Sequence, residues 1–328
     1  MNDLEAFQDI FADIEPFSGT VPKGFVVDFL GQLTEAEFRT IWLSGESDSW
    51  DRERHIQTET PTLNDGEGWF EIFNWIAAAR EARGSYVMMT LGACYAAQAV
   101  GSYLALQKLN PMPARLVAVE GVSDNIDWVL RQFRNNGIDP DEHWIIEAVL
   151  SDNNQPVIFP VGGAGLGNQS AMGMNSAGGR EQLAQSMVGS DRASAILNNI
   201  ITTNGTGVEV DLVPDVEHDT KAELRFVSAV TLNNLLAPFD RVDFVEADIQ
   251  MSEVIVFPPA MEQMSRKVRR VHMGTHTDEI HDLMVRLYES YGWEIIFSYP
   301  PKRSFETPYG SWTNDDGVLT AINPAVAY

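Results

Sequence analysis

Three short stretches hold residues whose types and spacing could do chemistry. The first is a turn, Leu91-Gly92-Ala93, between the apolar run Tyr86 to Thr90 and a helix-forming stretch from Ala96 to Leu106. A strand, a tight turn and a helix in that order make half of a βαβ unit, and the N–H groups at such a helix start favour negatively charged or oxygen-rich groups. A single glycine also marks many strand-to-helix turns that bind nothing, so both readings stand. The next strand-like run, Arg115 to Gly121, ends in Glu120, 28 positions beyond Gly92 (120 − 92). A carboxylate there can accept both hydroxyl hydrogens of a ribose; an ordinary exposed glutamate at a strand end is the plain alternative.

The second stretch is VDFVEADIQMSE, with Asp243, Glu246, Asp248 and Glu253. Asp248 lies in a strand-like run that should end at the carboxyl edge of a sheet, where open α/β folds bind ligands. A carboxylate there is costly unless it is paired, hydrogen-bonded or metal-bound. As a general base it would take the proton from an attacking hydroxyl or amine. The third stretch is VHMGTHTDEIH, with His272, His276 and His281. Two histidines and two carboxylates could bind a metal, although the spacing is not that of the HExxH zinc helix, and His272 alternates into a strand as a core histidine would. A serine hydrolase is disfavoured: no GxSxG elbow is present, and Cys94, in an apolar turn, has no adjacent histidine in sequence.

These residues need elements to hold them. From Ser85 onward, strand-like and helix-like segments alternate: SDNIDWVLRQFRNNGI is an amphipathic helix closed by Asn136-Gly137, and HWIIEAVLSD a third strand ending in Ser151-Asp152. LRFVSAV, VDFVEADI, a helix over 259–267, VRRVHMGTH, a helix over 278–291, WEIIFSYP and DGVLTAINP follow. The pattern predicts an α/β parallel sheet covered on both faces, with an antiparallel finish. Residues 1–84 read mostly as helices, with Thr34 and Glu37 as a capping box and a broad apolar helix face over 68–82. On that helix Glu67, Glu71 and Trp75 could edge a site, although a solvated face and a buried aromatic are commoner. Between about Gly162 and Gly207 the chain turns glycine-rich, with no lysine at P-loop spacing, which predicts an insertion or lid. Trp42, Trp50 and Trp69 are candidates to floor a pocket, or equally to pack in the core or at an oligomer interface.

Forty-seven acidic against 22 basic residues give a net charge of −25, so the surface repels phosphate backbones and anionic membranes. Nucleic acid and membrane are thereby disfavoured as partners. No run reaches the ~18 apolar residues of a membrane span, and a single cysteine suits a reducing cytoplasm. A homo-oligomer would be unsurprising.

The order of blocks, TLGACYA, LVAVEG, VTLNNLL, ADIQMSE, VHMGTH and DGVLTAINP, resembles FkbM-type S-adenosylmethionine-dependent methyltransferases across roughly Gly24 to Pro324. The resemblance implies a Rossmann-like seven-stranded methyltransferase sheet over 85–328 with an N-terminal helical extension over 1–84. It implies that Leu91, Gly92 and Ala93 pass the methionine part of the cofactor, that Glu120 holds its ribose and that Ser151 and Asp152 lie near the adenine. Asp248, Glu253 and His276 would face the methyl-transfer site. The implied reaction is O-methylation of a sugar or natural-product hydroxyl on a small-molecule acceptor, with a divalent metal such as Mg2+ as an option. The family usually carries an acidic residue where Thr90 stands, a lysine or histidine where Glu246 stands, and glycines in place of Cys94, Ala96 and Met251. These departures keep a second reading open, a non-catalytic binding or scaffold protein on the same fold.

Overall fold

A computed structural model describes residues 4–39, 50–161, 208–211 and 221–327. Its centre is one seven-stranded sheet, built from β1 (Tyr86–Leu91), β2 (Ala114–Glu120), β3 (Trp144–Glu147), β4 (Val242–Ala247), β5 (Val268–Thr275), β6 (Glu294–Tyr299) and β7 (Gly317–Ile322). The strands lie in the order β6-β7-β5-β4-β1-β2-β3, all parallel except β7, which runs antiparallel between β5 and β6. This is the Rossmann-like α/β sheet expected from the sequence, with its antiparallel finish.

The strand sequences explain why the sheet is covered on both faces. All six residues of β1 are buried, the signature of a strand with apolar neighbours above and below rather than one wet face. Tyr86 and Met88 point to one core and Val87, Met89 and Leu91 to the other, as the period of two requires. On the first face pack α1 (Glu67–Glu81), α2 (Ala97–Leu109) and α3 (Ser123–Asn135); on the second, α4 (Met261–Lys267) and α5 (Asp278–Ser290). The α1–α2 contact is close because Gly101 faces Trp75, and a Cβ there would stand 2.3 Å from the indole.

The N-terminal segment departs from its expected helical character. Among the described residues it holds four short strands (18–21, 25–27, 33–35, 54–57), an eight-residue 3-10 helix (Leu4–Phe11), a 3-10 turn (Leu63–Asp65) and one helical turn (Ala36–Arg39), with α1 as its one long helix. Thr34 does not cap a helix: Leu33–Glu35 pairs with Phe25–Val27, and the Thr34 hydroxyl accepts from Gln132 Nε2 at 3.0 Å. A strand partner outcompetes a local cap here. Trp50 and Trp69 are buried, so neither floors an open pocket; Trp42 and the expected lid at 162–207 lie outside the described residues. The expected third strand breaks at Ala148, and its second piece, Val149–Leu150, pairs with Ala229–Val230. No described helix is long and apolar enough to cross a membrane.

Candidate active site

The strand order turns around between β1 and β4: from β1 the chain steps outward through β2 and β3, and from β4 the other way to β5. Helices then leave opposite faces, and a crevice opens at the carboxyl ends of these two strands. Register decides what lines it. Ala247 is opposite Leu91, so Asp248 follows opposite Gly92; Thr275 is opposite Gly317 on the antiparallel β7, so His276 follows opposite Asp316.

Gly92 has φ +80, and a Cβ on it would stand 2.0 Å from the Asp248 carbonyl oxygen. The Asp248 N–H donates to Leu91 O at 3.0 Å. Only glycine lets the two backbones approach this closely. Leu91 and Ala93 are fully buried, and the Gly92 and Ala93 N–H groups both donate to Val119 O. Beneath the turn, Glu120 Oε2 accepts from Cys94 N at 2.7 Å and Oε1 from Val122 N at 2.8 Å. Burial raises the Glu120 pKa, and these backbone N–H groups oppose the rise. Ser151 and Asp152 lie just past the third strand, joined by a 3.2 Å hydrogen bond between their side chains; Gly121 touches Val149, which holds that segment against the end of β2.

Three positions where the resembled family carries glycine have backbone that favours glycine. Cys94 (φ 53), Ala96 (φ 64) and Met251 (φ 72) all occupy the left-handed region, which costs an L-residue roughly 1–2 kcal/mol. Burial and the nearby Glu120 and Asp248 carboxylates push the Cys94 thiol well up, which argues against a thiolate nucleophile. The other two departures are one exchange: Thr90 and Glu246 are cross-strand partners, and the Thr90 hydroxyl donates to Glu246 at 3.1 Å. Burial, then Glu71 and Asp248, raise the Glu246 pKa well above its ordinary value.

At the other end of the crevice, His276 sits among three carboxyl groups. Its Nε2 is 3.1 Å from Asp248 Oδ1 and 3.7 Å from Asp316 Oδ1, and its Nδ1 is 3.3 Å from Glu253 Oε1. Met251 N also lies 3.4 Å from Nδ1, but one nitrogen cannot both accept that N–H and donate to Glu253. The carboxylate decides, because Glu253 is 0% exposed with no hydrogen bond to either oxygen, and a buried charge without a partner is the costlier state. Burial works against charge on His276, but Asp248 and Glu253 outweigh it and raise its pKa to about 10. Asp248 is 43% exposed, against 9% for His276, so the aspartate is the reachable group.

Of the three histidines, the structure brings only His276 to the site. His272 lies under the sheet, where its Nδ1 is 2.9 Å from Thr320 Oγ1 and 3.1 Å from Asn74 Nδ2. His281 bridges Thr275 and Ser298 at 2.8 and 2.9 Å. Sequence reasoning missed Asp316. Its signal was the acid pair Asp315-Asp316 before a strand, which gains meaning only once that strand is known to lie beside β5. Glu67 does edge the site: its Oε1 accepts from Asp316 N at 2.7 Å, and burial raises its pKa to about 8.

No family model matches the chain. It is 22% identical over 296 residues, 88% of each chain, to a protein of Jannaschia sp. (strain CCS1) named "Putative methyltransferase". Among solved structures it is similar to the C-terminal domain of precorrin-6Y C5,15-methyltransferase from Rhodobacter capsulatus, with TM-score 0.37 and 11% identity over 80% of this chain and 93% of that one. It is also similar to the methyltransferase FkbM from Methylobacillus flagellatus KT, with TM-score 0.38 and 13% identity over 74% of this chain and 44% of that one.

Proposed function

We propose that the chain is an S-adenosylmethionine-dependent methyltransferase that methylates a hydroxyl on a small molecule, of the sugar or natural-product class. The observation that carries this reading is the convergence at the β1/β4 crevice of a glycine turn, a carboxylate tied beneath it and a half-exposed aspartate across it. The distant resemblance to a curated relative named as a methyltransferase supports it.

The residues present fit the cofactor. The close approach at Gly92 leaves backbone, not side chain, along one wall. The Glu120 carboxylate is fixed by the Cys94 and Val122 N–H groups, with the Gly121 N–H and the Asn125 side chain also against it, and would hold the ribose hydroxyls from that position. Ser151 and Asp152 would edge the adenine. The bound cofactor supplies an electrophilic methyl group. Asp248 then holds the acceptor hydroxyl toward that group and takes its proton as the oxygen becomes an ether. His276 Nε2 stands 3.1 Å from Asp248 and orients it, and Glu253 positions His276 from the other ring nitrogen. Proximity and orientation supply most of the acceleration.

Calorimetric titration of the full chain with S-adenosylmethionine and S-adenosylhomocysteine tests the reading. Micromolar binding is expected, weakened in Glu120→Ala by roughly 10- to 100-fold, the worth of hydrogen bonds to a charged group. The strained non-glycine residues at 94 and 96 favour a second reading, a binding or scaffold protein on this fold. Absence of binding to either compound would select it.

A further inference from the structure

We propose that Asp248, His276 and Asp316 form a divalent-cation site, with Glu253 orienting the histidine from behind. One ligand atom from each of the three lies within 4.8 Å of the others. Of the His276 Nε2 separations, 3.1 Å to Asp248 lies within the roughly 3.0–3.5 Å expected between neighbouring ligands that share an ion at about 2.1 Å, and 3.7 Å to Asp316 lies just beyond it, within reach of a small side-chain adjustment. The three residues follow β4, follow β5 and precede β7, so the fold, not a local motif, assembles them.

Acidic residues converge on many surfaces without binding anything, but two further observations point to a ligand here. His276 is nine-tenths buried, and its Nε2, which faces both aspartates, makes no hydrogen bond. Glu253, fully buried and also without a hydrogen bond, stands against the other ring nitrogen. A carboxylate behind one imidazole nitrogen orients a metal-binding histidine and makes it a better donor, and on the other nitrogen the two aspartates stand close without a hydrogen bond, where an ion would join all three. Glu253 is therefore a positioning residue that acts through His276.

The donor set also selects the ion. Mg2+ keeps oxygen ligands and several waters, whereas an imidazole with two carboxylates suits Mn2+, Fe2+ or Zn2+. Such an ion would lie beside Asp248 at the mouth of the crevice, where it could lower the pKa of an acceptor hydroxyl. One Asp248 oxygen would serve the ion and leave the other for the proton.

The test needs neither S-adenosylmethionine nor turnover, so its failure is distinct from failure of the methyl-transfer reading. The full chain, stripped with chelator, is titrated with Mn2+ and followed by electron paramagnetic resonance. We expect one site, with nitrogen coupling from an imidazole that disappears in His276→Gln. Asp316→Asn and Glu253→Gln should each weaken it at least 10-fold, the scale of lost ligands and ligand-orienting partners. Glu262→Gln, an exposed control, should bind as the parent does. Mn2+ bound without nitrogen coupling, or equally well by Asp316→Asn, would place the ion on the general acidic surface and overturn the proposal. So would no binding below about 1 mM, the weak end of protein cation sites.

Discussion

At the scale of single residues, two neighbouring positions respond to opposite substitutions. Gly92→Ala puts a methyl group 2.0 Å from the Asp248 carbonyl on a backbone at φ +80, so it should destabilise by on the order of 3 kcal/mol and push Asp248 off its position. Ala96→Gly relieves a left-handed alanine but removes a buried methyl group, so it should stay within roughly 0.5 kcal/mol of the parent, the strain set against the lost burial and the entropy that glycine adds to the unfolded chain. Urea melts of both variants check the contrast; equal destabilisation would mean that position 96 is not strained. The sequence revealed the glycine and hid the strain, because alanine and cysteine give no signal of a left-handed backbone. Glu120, Asp248 and His276 were legible as charged or titratable residues at strand ends, and Glu253 as a carboxylate a few residues beyond one. Asp316 was not, since what matters about it is its neighbour.

Helices and strands were legible wherever a period was strong. The apolar β1 and the amphipathic α3 and α5 lie within a residue or two of where the pattern places them. The order of strands in the sheet was not, because pairing is fixed by contacts far apart in sequence. The same long-range logic joins α1 to the sheet through Asn74. Its amide donates to Phe70 O and Thr320 Oγ1, and its carbonyl accepts from Arg270, which also pairs with Glu81. Asn74→Ala would leave these buried groups short of partners and should cost roughly 2–4 kcal/mol. A denaturant midpoint close to the parent's would show that water replaces the amide.

Across the whole molecule, the buried histidines make stability depend on pH. Burial, then Arg270, lowers the His272 pKa from 6.5 to about 3, so the folded protein keeps it neutral while the unfolded chain protonates it near 6.5. Below that pH the unfolded state binds more protons, and stability falls with acidification. The contribution of His272 is therefore full above pH 6.5 and lost as pH drops toward 3. His272→Gln should cost more stability at pH 7.5 than at pH 5; an equal cost at both would contradict the buried neutral ring. The antiparallel β7 has a further consequence, for biosynthesis. It fills the slot between β5 and β6, so until residue 322 has left the ribosome those two strands stand about 10 Å apart, two strand spacings, with their facing edges unpaired. A translation product halted before Asp316 would carry Gly92, Glu120, Asp248 and His276 yet lack Asp316 and all of β7, and would present two open edges to other chains.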